Sequence, residues 1–154
     1  MTRRVNKMQG LRRHRGVAMV EFMIVLPVFL FLMFAVTEIG RAVIRYNTLT
    51  KAIHDGARHA SAYALLGTAG SVQIDAALDA EIRNLIVHGN LQGTGAPLIA
   101  GLATNQINIT VPQPGWVRID ASYPYVEGIG ILSFGFGSQN MTFNMAASVT
   151  MRAL

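Results

Sequence analysis

Cysteine is absent from this chain of 154 residues, and charged residues are scarce. Without a thiol the protein can build neither a disulfide framework nor a thiolate metal site, and it has no cysteine nucleophile. Charged residues make up 14% of the sequence, whereas soluble domains usually carry about 25% charge. Since 51% of the residues are hydrophobic, the composition predicts a membrane protein, with room for one domain of ordinary size.

Acidic residues are also missing from the start of the chain, where the first one is Glu21. Six basic residues precede Gly16, namely Arg3, Arg4, Lys7, Arg12, Arg13 and Arg15. This leader accounts for the net charge of +5, because the basic and acidic residues of the remaining sequence nearly cancel. The body of the protein therefore has no basic stripe for a phosphate backbone, and we expect no nucleic-acid partner.

A long apolar run follows the leader at residues 17–36, in which Glu21 is the one charged residue and Pro27 the one helix breaker. At about 1.5 Å per residue, a helix of this length spans the roughly 30 Å hydrocarbon core of a bilayer. The basic excess before the run predicts a cytoplasmic N-terminus and an exported remainder. No small-residue cleavage pattern ends the run, so removal by an ordinary signal peptidase is not expected.

The junction between leader and apolar run carries a compact motif. A basic residue and Gly16 are followed by Val17, three further apolar residues, Glu21 and Phe22. A glycine, which has no side chain, allows close approach of an extended backbone to a protease groove. Alternatively, Gly16 merely precedes an apolar helix, and the Glu21 carboxylate reaches lipid headgroups at the end of an uncleaved anchor.

Beyond the membrane, the helical pattern continues to about residue 66. One face carries Ile39, Val43, Tyr46, Thr50, Ile53, Ala57, Ala60 and Ala64, and this spacing predicts that the face packs on a globular head. Gly67 is the expected end of the helix, and Pro27 predicts a kink or a loosened turn in its membrane half.

The exported residues predict a small head that contains helix and sheet. Residues 71–88 have the pattern of a second helix ending at Gly89, with Ile74, Leu78, Ile82 and Leu85 on one stripe. Residues 107–111 and 117–123 alternate between apolar and polar around a proline-rich turn, and residues 141–152 alternate in the same way. We therefore predict an α+β fold, in which the long N-terminal helix packs with a second helix on a small antiparallel sheet. The glycine-rich stretch 127–140 is either core filling or an apolar loop that contacts a partner or the bilayer.

The plan resembles the TadE-like minor pseudopilins of tight-adherence (Flp, type IVb) pilus systems. The motif from Gly16 to Phe22, the stretch Asp55-Gly56-Ala57-Arg58 and the closing strand that ends Val149-Thr150-Met151-Arg152 carry the resemblance. It implies that a prepilin peptidase cleaves between Gly16 and Val17, which removes residues 1–16. Residues 17–37 then form the transmembrane part of the helix, 38–66 its amphipathic part and 67–154 the exported head. Glu21 and Phe22 become the fifth and sixth mature residues, and the resemblance implies a role in assembly for them.

No pattern in the sequence predicts catalysis, a cofactor or a metal ion. The histidines lack the spacing of metal ligands, no serine lies in a nucleophile elbow, and the paired glycines at 128–130 and 135–137 lack the rest of a dinucleotide loop. We expect a protein that is not an enzyme and that assembles a Flp pilus or secretion apparatus, with other pilin and pseudopilin subunits, the prepilin peptidase and the bacterial inner membrane as partners. The alternative is an uncleaved, signal-anchored envelope protein whose head binds a ligand.

Overall fold

The computed structural model describes residues 8–66, 71–126 and 142–153, and its dominant element is one helix. Helix α1, Met8–Tyr63, includes the leader junction, the apolar run and the first part of the head. It continues across Pro27 without a break. From Gly16 to Tyr63 it contains 48 residues, which at about 1.5 Å per residue is roughly 72 Å. The sequence predicts this helix correctly, except that it already begins in the leader and ends three residues earlier.

The head contains a three-stranded antiparallel sheet in the order β3-β4-β5, formed by Ile107–Thr110, Trp116–Val126 and Thr142–Arg152. Strands β4 and β5 pair over their full length, from Trp116 opposite Arg152 to Val126 opposite Thr142. Residues on β4 alternate strictly between exposed and buried. Val117, Ile119, Ala121, Tyr123 and Tyr125 form the buried face. This alternation confirms the predicted strands, the predicted hairpin and the α+β class.

Helix α2, Ala76–His88, packs against α1 and contacts the short 3₁₀ turn Thr104–Gln106 that leads into β3. The Asp75 side chain caps its N-terminus by accepting a bond of 2.7 Å from the Leu78 backbone N–H, and Gly89 ends it with φ of 75°. Helices α1 and α2 approach closely at Gly56, where an added Cβ would lie 2.5 Å from Ile86 Cγ1. A side chain at position 56 would therefore force the two helices apart.

The predicted start of the second helix at residue 71 is wrong. Val72–Gln73 forms strand β2, which pairs antiparallel with β1, Leu65–Leu66. The prediction extended the helix because Ile74 lies in phase with Leu78 and Ile82, although the cap at Asp75 excludes it from the helix. Of the predicted stripe, Leu78 and Ile82 are buried, while Leu85 is only half-buried and Ile86 and Val87 complete the buried face.

The predicted packing face of α1 is correct only in its upper part. Ile53, Ala57, Ala60 and Ala64 are buried as expected, but Ile39, Val43 and Tyr46 are exposed. The face that meets the sheet continues downward through Leu49, Arg45, Ala42 and Glu38. Because Glu38 and Arg45 on this face are charged, a search for regularly spaced apolar residues did not locate it. The glycine-rich stretch 127–140 and the predicted helix end at Gly67 lie outside the described residues.

Candidate functional site

The predicted processing motif lies on one uninterrupted stretch of α1. Gly16, Val17, Glu21 and Phe22 are all exposed, and a Cβ built at Gly16 would have no neighbour within 4 Å. Gly16, Val17, Val20, Glu21 and Ile24 line one shallow groove along the helix. The bond between Gly16 and Val17 is therefore accessible but helical. Since glycine is about 1 kcal/mol less favourable than alanine within a helix, it lowers the cost of unwinding this turn.

Glu21 lies one helical turn above Val17 on the same side of α1. Residues four apart on a helix are neighbours, so an α-amine created at Val17 would lie within reach of the Glu21 carboxylate. Before cleavage the same nitrogen is an uncharged amide that already belongs to the helix. The geometry thus allows an ion pair that only a processed chain could form.

The apolar half of α1 has no cover within the described part of the chain. This helix is long and apolar enough to cross a membrane, and none of its most apolar window is buried. Large side chains such as Phe22, Ile24 and Phe29 are exposed by about two thirds. In water an apolar surface of this extent would be unfavourable, which points to lipid or neighbouring helices as its surroundings.

A polar cluster joins the end of this apolar half to the base of the sheet. The buried Tyr125 hydroxyl donates to Glu38 Oε1 at 2.5 Å, and the Arg45 guanidinium lies 4.9 Å from the Tyr125 ring centroid. Arg41 Nη1 lies 3.9 Å from the second Glu38 oxygen. Burial, and then the hydrogen bond to the Glu38 carboxylate, raise the pKa of Tyr125 to about 12. Because both stabilise the neutral phenol, Tyr125 remains a donor well above physiological pH.

A second polar contact ties the top of α1 to α2. His59 Nε2 lies 3.2 Å from Glu81 Oε2, and the His59 ring packs against Tyr63 with centroids 4.6 Å apart. The His59 side chain is only 13% exposed, so this contact is largely shielded from water. Among the described residues, no three His, Asp or Glu side chains gather as a metal-ion ligand set.

Sequence reasoning missed the cluster at Glu38, Arg45 and Tyr125. Glu38 and Tyr125 are 87 positions apart, so no local pattern could join them. One signal was available. Glu38 and Arg45 are seven residues apart, which is two helical turns, and they lie on the same side of α1 as Ala42 and Leu49. Charged residues in line with apolar ones indicate a helix face that contacts polar groups of the protein rather than water.

Comparison with known proteins identifies the N-terminal part of the chain. Residues 16–58 match the family model described as TadE-like protein, which confirms the resemblance drawn from the sequence. The TadE-like family is a pilus component family. The matched segment covers both the processing motif and the exposed apolar half of α1. No curated protein and no solved structure matches the chain.

Proposed function

With a TadE-like segment at residues 16–58 as the premise, we propose that this chain is a minor pseudopilin of the tight-adherence pilus. A prepilin peptidase removes residues 1–16 at the cytoplasmic face of the inner membrane. Residues 17–37 then remain in the bilayer and the head is exported. The processed helix packs laterally against the helices of other pilin subunits and takes part in assembly of the pilus or secretion apparatus.

One observation carries this proposal. The motif, an uncovered apolar half and a half packed on the head belong to a single continuous helix. An anchor that only tethered a binding module would need neither an exposed glycine before its first apolar residue nor a carboxylate inside the span. A charged residue at the centre of a membrane helix costs about 2.5 to 3.5 kcal/mol on insertion scales, and less near the end. The Glu21 carboxylate therefore requires a positively charged partner, and the Val17 amine of its own or a neighbouring subunit provides one.

Cleavage is tested by the mass of the membrane-extracted protein from cells with and without the prepilin peptidase. We expect a product that begins at Val17, formed only when the peptidase is present. Gly16→Leu should block processing, because its side chain both obstructs the backbone at the cut and strengthens the helix that must unwind. Gly10→Leu, a matched change inside the leader, should be processed normally. An intact chain in all strains would favour the uncleaved envelope binding module.

The role of Glu21 is tested separately by Glu21→Ala. We expect this variant to insert and to be largely cleaved, but to lose crosslinks to other pilin subunits and surface adherence. Asp55→Ala removes an exposed carboxylate from the exported half of the same helix and serves as the control that should keep both. Adherence and crosslinking at the wild-type level in Glu21→Ala would remove the ion pair from the proposal.

A further inference from the structure

The base of the head lies at the level where the apolar half of α1 ends. Val36 is the last residue of the apolar run, and Glu38 follows two positions later, about 3 Å further along the helix. The headgroup layer adds about 5 to 7 Å on each side of the hydrocarbon core. Because Tyr125 donates to Glu38 at 2.5 Å, the penultimate residue of β4 lies within that layer whenever residues 17–36 span the core.

The paired ends of β4 and β5 expose apolar side chains at this level. Val126 is 53% exposed and Phe143 is 50% exposed. Phe143 pairs with Tyr125 across the strands, with ring centroids 4.8 Å apart. Arg41, whose side chain is 50% exposed, lies beside Glu38 on the same level of α1. Phe143 lies on the face of the sheet toward α1 and Val126 on the opposite face, so the two side chains flank the paired strand ends. We call Arg41, Val126 and Phe143, which share this level, the basal patch.

The chemistry of the basal patch suits the surface of a bilayer. Aromatic rings and long basic side chains are preferred at the boundary between lipid and water, where the apolar part enters the membrane and the charge stays among phosphates. At the opposite end of the same strands, the exposed residues are Trp116 and Arg152, far from the end of the span.

We propose that the basal patch rests on the outer surface of the phospholipid membrane, with Phe143 and Val126 inserted among the headgroups and Arg41 beside lipid phosphate. The head is then held to the membrane at two places, through α1 and through the end of the sheet. This inference rests on the membrane anchoring in the proposed function and goes beyond it, because the occupant of the patch is lipid and not another subunit.

The single native tryptophan makes a direct test possible. Trp116 lies ten residues from Val126 along β4, about 34 Å at about 3.4 Å per residue. The full chain is reconstituted in vesicles at about one protein per vesicle, with lipids brominated near the headgroup end of the acyl chains. Bromine quenches tryptophan only at short range. We expect no quenching of native Trp116, and a loss of emission for Phe143→Trp in a Trp116→Phe background, because an aromatic ring at that level lies at the lipid–water interface.

Two further variants separate the failure of the patch from the failure of the anchor. In the same background, Val126→Trp should be quenched like Phe143→Trp. Phe29→Trp, which lies near the middle of residues 17–36, is measured in vesicles whose lipids are brominated in the middle of the acyl chains, and it reports the membrane half itself. If position 29 is quenched while positions 143 and 126 are not, the basal patch proposal is overturned and the anchor stands. If position 29 is not quenched, the anchoring in the proposed function fails and the patch fails with it.

Discussion

Tyr125 is a residue at which α1 and the base of the sheet are joined. Its phenol is 1% exposed and donates to Glu38, whose carboxylate would otherwise lose its water at the base of the head. A hydrogen bond to a charged group contributes about 1.5 to 3 kcal/mol to stability. The donor must be neutral, so the contact couples the stability of the head to ionisation of the phenol.

We expect the free energy of unfolding to fall as the pH rises above about 10. An unfolded tyrosine ionises near pH 10, whereas the folded pKa of Tyr125 is raised to about 12. Between these values only the folded state keeps the proton, so stability is fully present below pH 10 and is lost by up to about 1.4 kcal/mol per unit toward pH 12. Thermal unfolding followed by circular dichroism in detergent micelles measures this slope.

The Tyr125→Phe variant should be less stable at neutral pH and should lose less stability in the alkaline range. Tyr63→Phe is the matched control, because Tyr63 is 65% exposed and should keep the wild-type slope. Equal slopes for wild type and Tyr125→Phe would mean that this phenol does not control the alkaline unfolding.

At the scale of elements, one side chain connects α2 to the strand that follows it. Arg83 donates from Nε and Nη2 to the two carboxylate oxygens of Asp79, at 2.6 and 3.1 Å. Its Nη1 donates to the Thr104 carbonyl at 3.0 Å and also to the Ile107 carbonyl. The fork geometry of guanidinium lets one side chain fix both the helix and the entry to β3.

Arg83→Lys should therefore destabilise the head, by about 1 to 3 kcal/mol, because a lysine cannot satisfy two carbonyls and a bidentate carboxylate together. Denaturant unfolding of the detergent-solubilised protein measures the loss. Arg118→Lys is the matched control. Within the described part of the chain, the Arg118 side chain bonds to Asp120 alone, at 3.0 Å on the exposed face of β4, and its replacement should change little. A loss in Arg118→Lys as large as in Arg83→Lys would refute the bracing role of Arg83.

The elements predicted correctly from the sequence are those that a local pattern specifies. Strict alternation predicts β4 and β5 because each side chain points to one face or the other, and Gly89 ends α2 because it adopts the left-handed conformation. The contacts that fix the site join distant positions, such as Glu38 with Tyr125 and His59 with Glu81, and no spacing rule reaches them. The short strands β1 and β2 were missed because two residues each carry no detectable period.

For the whole molecule, the important property is that α1 continues from its exposed apolar half into the head without a loop. The head packs on α1 from Glu38 onward. Rotation of the anchor about its axis must therefore rotate the head by the same angle. The orientation of the head relative to neighbouring subunits therefore depends on the number of helical residues before Glu38.

Insertion of one alanine between Val36 and Thr37 should rotate the head by about 100° relative to the anchor and raise it by about 1.5 Å. We expect unchanged processing and thermal unfolding, but a loss of disulfide crosslinks from Val43→Cys on the exposed side of α1. The chain has no native cysteine, so every crosslink reports the introduced residue. The same insertion after the exposed Gly95 should leave the crosslinks intact. Crosslinks that survive the insertion before Thr37 would indicate that the head turns independently of its anchor.

The unbroken helix also fixes the distance between the end of its apolar half and the top of the head. From Glu38 to Tyr63 it rises about 38 Å at about 1.5 Å per residue, and the sheet and α2 are attached to it along that length. If the apolar half of α1 spans a bilayer as proposed, the far end of the head, at Trp116, is held at a fixed height above it and cannot search for a target as a domain on a flexible tether can. Any structure that this end touches must be brought to that height, by a neighbouring subunit or by movement of the whole chain along the membrane normal.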